Sequence, residues 1–507
     1  MKRISELITT NEVLRWEPND IITISAGTGR GKSYFIKNIL YNLCKQNNNK
    51  RILMLIHRVN CKEQFIKEIV RDKKTDIIDI ITYQKLEYLR NKGKTFDFSE
   101  YEYIVCDEFH YFLSDAAFNI MTDISLSIIL SQNKIRIFMS ATGDYMKRYI
   151  ENIKKLKTIP YDLETDYSFI KQLTFFNKNE TLDKFIEEAV TKKEKGIFFI
   201  QSVEKAYNLY NKYKDYCLFN CSKSNNKGYY KYVDQEKINK MLEDERFNEL
   251  ILITTSCLDT GVNIIDNDVK HIVVDMQDIG VLLQCIGRRR IQNEDDKIYI
   301  YIKNINNKQL GGMETQLKKK IEKAEFLRKH TVKEYLKKYP RARTNDYSNI
   351  VYDEIVNEDD KGTKKINELM YYKCKFDLSD IATMKAYGEY GYCKYIKDLF
   401  KYDRKYRIIE EDYKQDGLEQ YLGSIIGKKL YKDEQKELID VIGLKDARGR
   451  IQKSIKQFNA YFEANKIKFI IEHERKSIRV DGKIKKDSYW IIYAITLNVD
   501  ENLDKAI

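Results

Sequence analysis

Several features that would place a chain outside the cytosol are missing here. No apolar run approaches the ~20 residues that a membrane span requires; the longest, such as residues 489–497, fall far short. The N-terminus, MKRISELITTNEVL, has no continuous apolar core behind its basic residues, so no secretory signal is expected. The nine cysteines are odd in number and scattered. Their closest pair, Cys217 and Cys221, has no second pair or histidine couple nearby to complete a zinc site. Reduced thiols in a cytoplasmic protein are the expectation, several of them in core strands. Proline is scarce as well: there are three, and Pro160 falls where a first structural block ends. No repeat of short period is present.

What remains is a composition of 43% hydrophobic and 33% charged residues over 507 positions, which describes a soluble globular chain of three or four domains. The formal charge of +13 has two readings. Lys, Ile, Asn and Tyr are all abundant, as an AT-rich genome produces, and that bias raises lysine by itself. A nucleic-acid-facing surface is the other reading. Distribution favours the second, because nine of the thirteen surplus charges lie after residue 305.

From residue 20 to about 145, short apolar runs alternate with amphipathic stretches, the pattern of parallel strands with crossover helices. The expected strands are 21–25, 52–56, 78–82, 103–106 and 135–140. A second block follows with strands at 172–176, 196–200, 250–254 and 271–274. Two α/β domains, 1–160 and 161–305, are therefore expected, then a helical basic region, 306–440. The last segment, 441–507, reads as a helix at 451–465 and two strands, 468–478 and 488–497. These are joined by a basic stretch containing Asp481-Gly482, a hairpin-turn pair. A helix followed by a basic hairpin suggests a winged helix; a plain hairpin packed on a helix is the alternative.

The chemistry begins at Ala26 to Ser33, AGTGRGKS, between an apolar strand and a helix. Gly27, Gly29 and Gly31 let backbone N–H groups converge on phosphate oxygens, and the helix adds its positive end. With Thr28 and Arg30 this forms a phosphate loop in which Lys32 reaches the β- and γ-phosphates and Ser33 ligates Mg²⁺. Seventy-five residues after Lys32, a strand ends in Cys106-Asp107-Glu108-Phe109-His110. Asp107 suits the metal and Glu108 the attacking water. Ser140-Ala141-Thr142 closes another strand. In the second block lie Thr254-Thr255-Ser256-Cys257-Leu258-Asp259-Thr260-Gly261-Val262-Asn263 and Gln284-Cys285-Ile286-Gly287-Arg288-Arg289-Arg290. Arginines closing on a γ-phosphate from a facing domain stabilise transition-state charge.

The order AGTGRGKS, CDEFH, SAT, TTSCLDTGVN, QCIGRRR resembles the superfamily 2 helicases of the DExH type, over about residues 15–305. That resemblance implies two tandem RecA-like domains that bind ATP and Mg²⁺ and act on nucleic acid. It implies roles residue by residue. Ala26 through Ser33 would hold the phosphates, Ser33 and Asp107 the metal, and Glu108 would activate water. His110, Ser140 and Thr142 would couple hydrolysis to domain movement. Gly261 and Asn263 would face nucleotide and cleft, and Gln284, Arg288 and Arg290 would contact the γ-phosphate. Arg58, Thr82 and Thr255 would touch the backbone of a bound strand, which positions it without reading its sequence.

Two departures qualify the match. The commonest final motif carries an arginine seven residues after its glutamine; here that position is Ile291, and Arg290 precedes it. The shorter spacing occurs in viral and mobile-element relatives. No DEAD-box glutamine motif precedes Ile21. The expectation is an ATP-driven helicase or translocase, on DNA rather than RNA, with no membrane partner and no protein partner named by the residues. An RNA remodeller, a binding module with a dead core and the motor subunit of a larger complex are the alternatives.

Overall fold

The computed structural model of the protein describes residues 3–27, 29–47, 50–57, 59–223, 228–258, 263–340, 349–355, 362–446, 450–480 and 483–495. The chain divides into two compact units, Met1–Tyr406 and Arg407–Ile507.

In the first unit, six strands form one sheet: β1 (Ile21–Ala26), β2 (Arg51–Ile56), β3 (Ile78–Thr82), β4 (Tyr101–Asp107), β5 (Ile135–Ser140) and β6 (Ile159–Leu163). Their order is β3-β2-β4-β5-β1-β6, with every pairing parallel. All six side chains of β5 are buried, as are the last five of β2. Continuous apolar runs of that kind are what a parallel sheet covered on both faces demands. β6 runs past the division expected at residue 160, so the first sheet reaches Leu163. Its Pro160 pairs at the sheet's edge, where a missing N–H costs no ladder bond.

A second parallel sheet follows, in the order β7-β12-β11-β8-β10-β9. Its strands are β7 (Ile170–Phe176), β8 (Lys195–Ile200), β9 (Cys217–Asn220), β10 (Ile251–Thr254), β11 (Val269–Asp275) and β12 (Ile298–Lys303). The fold is therefore two tandem parallel-sheet α/β domains, as the motifs implied. Helix α1 (Ile279–Gly287) leaves β11 with Asp278 as its N-cap, whose carboxylate accepts from Val281 N at 3.0 Å.

Residues 307–399 are mainly helical: α2 (Asn307–Lys329), α3 (Val332–Lys338), α4 (Glu368–Ala386) and α5 (Gly391–Leu399). An antiparallel strand pair, β13 (Val351–Ile355) and β14 (Gly362–Ile366), interrupts the helical region expected there. Ile321, Ala324, Tyr335, Leu369, Met370 and Cys374 join the core of the first α/β domain around Phe109, Phe112 and Leu126. Phe376 stacks on Tyr145 at 4.8 Å. By contrast, Tyr392 of α5 meets Phe175 of β7, and Cys393 Sγ donates to Asn304 Oδ1 at 3.1 Å. The helices after β12 thus touch both α/β domains.

The second unit begins at Arg407, earlier than the division expected at 441. It contains α6 (Ile409–Ser424), α7 (Lys432–Ile442), α8 (Ile455–Ala464) and a hairpin of β15 (Phe469–Val480) and β16 (Lys483–Ala494). Leu430, between α6 and α7, exchanges backbone hydrogen bonds with Trp490 of β16 at 2.8 and 3.0 Å. The element sequence is helix, short edge strand, helix, helix, long hairpin. Leu422, Leu438, Ile442, Phe458, Phe462, Ile471 and Ile492 fill its core.

Candidate nucleotide site

β1 delivers the chain to Gly27, where a Cβ would lie 2.9 Å from Thr165 Oγ1, so the loop passes too close to Thr165 for any side chain. Gly29 and Gly31 then adopt φ of +78° and +88°, a left-handed region that favours glycine and turns N–H groups inward. Lys32 opens the helix Lys32–Tyr34, which continues through a π-helical segment, Phe35–Leu40. Its Nζ donates to the carbonyl of Ala26 at 2.7 Å and of Gly27 at 3.4 Å. The lysine is thereby curled under the loop whose ligand it would grip. The carbonyl of Arg30 accepts from Ile4 N at 2.9 Å, which ties the loop to the first helical turn of the chain.

β4 ends beside this loop. Asp107 is anchored through its carbonyl, which accepts from Tyr83 Oη at 2.9 Å. Glu108 adopts φ of +50°, a left-handed conformation that costs a non-glycine residue of order 1 kcal/mol. That turn brings its carboxylate to 3.3 Å from Ser140 Oγ and 3.3 Å from His110 Nδ1. Ser140 Oγ also lies 2.8 Å from His110 Nδ1 and accepts from Thr142 N at 3.0 Å. Phe109 is wedged against Gly143, where a Cβ would lie 2.4 Å from the ring, so the glycine after Thr142 fixes the geometry of this turn.

The second domain reaches the same place. Gln284 Nε2, on α1, is 2.5 Å from His110 Nε2. This completes a chain of polar contacts from Glu108 through Ser140 and His110 to the helix that precedes the arginines. Arg288 is buried, its Nε donating to the carbonyl of Gln284 at 3.2 Å. Arg289 forms a parallel bridge with Ile264, with Ile264 N bonded to Arg288 O at 2.8 Å and Arg290 N to Ile264 O at 2.9 Å. Arg288 keeps helical backbone as the C-cap of α1, and Arg289, at the bridge, is turned into the protein, where it pairs with Asp296. Arg288 and Arg290 both lie close enough to Lys32 to draw its ammonium down. A Cβ on Gly29 would lie 3.9 Å from the Arg290 guanidinium, so the second domain's arginine overlies the phosphate loop.

Asn263 holds that arginine, its Oδ1 accepting from Arg290 Nε at 2.8 Å and from the Nη2 group, while its Nδ2 donates to Glu245 at 3.3 Å. It touches the finger and positions it. Thr142 Oγ1 is buried with no hydrogen-bond partner among the described residues. Thr82 is the last residue of β3, and Thr255 follows the last residue of β10. Thr28, Arg58 and Gly261 lie outside the described residues.

The electrostatics are those of a site built for an anion. Burial draws Lys32 down from its ordinary value, against the pull of Glu108 and Asp107. Burial and then Arg288 bring Arg290 down to about 10. Burial and the Glu108 charge push Asp107 up, whereas Lys32, His110 and Arg288 outweigh burial at Glu108 and hold it down. Three crowded cations, a glycine nest and a helix N-terminus suit a triphosphate. Ser33 and Asp107 offer oxygen donors of the kind Mg²⁺ takes when phosphate oxygens complete its shell.

One further residue was invisible in the motifs. Lys373 of α4, half-buried, donates to Asp278 at 3.2 Å and to Asp377 at 2.9 Å. Asp278 is the N-cap of α1. Ninety-five residues separate the pair, so nothing in sequence spacing could have joined them.

Residues 2–144 match the family described as type III restriction enzyme, res subunit. That match lies within the first α/β domain. No match is found among curated proteins. Among solved structures, the chain is similar to S. cerevisiae Dbp5 bound to RNA and ADP BeF3, at 18% identity and a TM-score of 0.41, over 56% of this chain and 79% of that one. It is also similar to the helicase MrfA bound to DNA and AMPPNP, at 15% identity and a TM-score of 0.43, over 58% of this chain and 47% of that one. The phosphate-loop and acidic segments of the first domain meet the arginine-bearing segment of the second at one cleft.

Proposed function

We propose that the chain is an ATP-driven helicase or translocase that moves along a DNA strand. The observation that carries this is the contact between His110 and Gln284, 2.5 Å apart. It joins the hydrogen bonds of Glu108 to the helix that carries Arg288, so the two domains share one polar network at the phosphate loop. A binding module with a dead core would not need that network.

In this reading, Lys32 and the glycine loop hold the triphosphate, and Ser33 and Asp107 hold Mg²⁺. Bound there, Mg²⁺ supplies Lewis-acid polarisation of the phosphate oxygens. Glu108 is kept ionised by Lys32, and in that state it orients a water and accepts its proton. Arg288 and Arg290 place positive charge against the transferring phosphoryl group from the second domain. Loss of the γ-phosphate removes the anion that draws the arginines inward, and the domains separate. His110 and Ser140 transmit the change, because Ser140 contacts Glu108 and His110 contacts Gln284.

ATPase rate with single-stranded DNA, duplex DNA or RNA as stimulant tests the motor. Stimulation by DNA is the expected result; stimulation by RNA alone would move the chain to RNA remodelling, and none by any would end the motor reading. Glu108→Gln should retain ATP binding and lose turnover by about 10³-fold or more, the scale of a lost catalytic base plus its charge. Normal hydrolysis by that variant would remove Glu108 from its role. The restriction-subunit family matched by residues 2–144 favours a second reading in which this motor serves a larger DNA-acting assembly. Recovery of the native protein in a stable heteromeric complex would support it.

A further inference from the structure

A second charged surface lies in residues 407–507, beyond every helicase motif. Charge is segregated along this unit. Residues 407–444 hold six Lys or Arg against nine Asp or Glu, and residues 445–495 hold thirteen against six. A lysine bias set by base composition would raise both segments alike, so the segregation needs a local cause.

The exposed basic residues lie on α8, on the loop before it and on one face of the hairpin. α8 buries Phe458 and Phe462, four residues apart, in the unit's core. That leaves Lys456, Gln457, Ala460 and one acid, Glu463, exposed on its outer face, with Arg450 and Lys453 exposed on the loop leading into it. In the hairpin, Ile471 pairs with Ile492, and both are buried. Side chains alternate along a strand, so the residues further out on that same face are Arg475 with Ser488, Ser477 with Lys486, and Arg479 with Ile484. The face that packs on the helices at the hairpin's base therefore continues outward as a basic one. Arg475, Arg479 and Lys486 are exposed on it.

Two observations point from this surface to a polyanion. The ion pairs of the unit lie elsewhere, at Arg407–Asp412, Lys429–Asp487 and Lys476–Glu474. Among the described residues, the side chains of Arg450, Lys453, Lys456, Arg475, Arg479 and Lys486 have no carboxylate partner. Helix and hairpin are also fastened rigidly together: Asn459 Nδ2 donates to the carbonyl of Ile471 and its Oδ1 accepts from Ile471 N, both at 2.9 Å. An asparagine spent on both backbone groups of one residue fixes the angle between α8 and the hairpin.

We infer that this face binds duplex DNA, with α8 in the major groove and the hairpin's basic face on the flanking phosphates. A helix about 10–12 Å across fits a groove about 12 Å wide. Ala460 lets the backbone approach, while Lys456 and Gln457 carry donors that base edges and phosphates accept. A-form RNA presents a deep, narrow major groove that excludes a helix, so the same geometry selects B-form DNA. The inference deepens the motor reading by naming the duplex as what is held beside the tracked strand.

The test uses the full chain without nucleotide, and the triple variant Lys453→Gln, Lys456→Gln, Arg479→Gln. Duplex DNA affinity, read by fluorescence anisotropy across a salt series, should fall by about tenfold or more, and the slope of log K against log salt should drop by about 2–3. The charge-keeping triple, Lys453→Arg, Lys456→Arg, Arg479→Lys, should retain binding. Unchanged duplex affinity and slope in the glutamine triple would overturn the inference. So would an equal loss on an A-form RNA duplex, or equal failure of the charge-keeping triple. ATPase stimulated by single-stranded DNA, duplex DNA or RNA, measured on wild type, reports the motor separately: no stimulation by any of them would sink that reading and leave the duplex result standing.

Discussion

The nucleotide cleft and the basic face of the second unit use charge in opposite ways. In the cleft, Lys32, Arg288 and Arg290 are buried or largely so, and each is held by a named partner: Ala26 O, Gln284 O and Asn263 Oδ1. On the second unit, Arg450, Lys453, Lys456, Arg475 and Arg479 are exposed. Charges of the first kind are already desolvated and aimed, so they act strongly on one small anion and are little screened. Charges of the second kind each contribute little and act together on a long polyanion, with a steep dependence on salt. Net charge alone cannot distinguish the two, because both raise it equally.

The sharpest way to break this comparison lies within three consecutive residues. Arg290→Ala should lower ATP turnover by about 10³-fold or more, as loss of an arginine finger does. Its effect on unfolding free energy should stay small, because its partners are a side-chain amide and a loop carbonyl. Arg289→Met should do the reverse. Arg289 and Asp296 form a buried, bidentate pair, and leaving Asp296 unpaired costs about 3–5 kcal/mol by the precedent of broken buried pairs. Denaturant unfolding and ATPase measured on both variants decide it. Equal activity losses with equal stability would show that the pair with Asp296 does not set Arg289 apart from its neighbours.

The stability deficit of Arg289→Met should also depend on pH. Burial pushes the Asp296 carboxyl up, but hydrogen bonds from Arg289 and from Gln292 N outweigh it and hold the group below the usual carboxylate range. A carboxyl lowered on folding contributes stability above its unfolded value of about 3.9, and that contribution is lost as pH falls through the lower folded value. The gap between wild type and Arg289→Met should therefore be full at neutral pH and shrink below about pH 4. A gap that stays constant on acidification would mean that the deficit comes from packing and not from the pair.

A smaller effect is expected at Asn263. Its Oδ1 gathers two hydrogen bonds from Arg290, so Asn263→Ala leaves the finger in place but unaimed. Turnover should fall by about tenfold, the scale of one or two charge-assisted hydrogen bonds acting through orientation. Asn263→Asp should restore part of the rate, because a carboxylate still accepts from the guanidinium. If Asn263 acted on nucleotide directly, the KM for ATP would rise instead, with kcat preserved.

What could be read from the chain divides along the same line as the charges. Strands buried on both faces announce themselves as apolar runs, and β1, β3 and β5 fall within a residue of their expected limits. The site segments were legible because each is contiguous, and all but 284–290, which ends α1, follow a strand. Contacts that depend on distant residues were not. Nothing in Pro160 suggests a strand, since only its edge position makes it tolerable. Leu430 pairs with Trp490 through a single bridge, too short to leave a sequence pattern, yet it completes the second unit's topology. Arg289 could not be separated from its neighbours until Ile264 was seen beside it.

The least conspicuous of these long-range contacts gives the smallest prediction. α4 is built into the first domain's core through Met370 and Cys374, and its Phe376 stacks on Tyr145. From that base Lys373 reaches Asp278, the N-cap of the helix that carries Gln284 toward His110. Burial draws the Lys373 ammonium down, but Asp278 and Asp377 outweigh it and raise it above its ordinary value, so the pair stays ionised at neutral pH. Lys373→Met removes the only charge on α4 that touches Asp278 among the described contacts, while the N-cap bond to Val281 remains. The domains then close with one ion pair fewer, worth about 1 kcal/mol, and kcat should fall about threefold to fivefold with little change in thermal midpoint. Lys373→Arg should recover most of it. A loss of midpoint that parallels the loss of rate in both variants would instead make Lys373 a packing residue of α4, with no part in how the cleft closes.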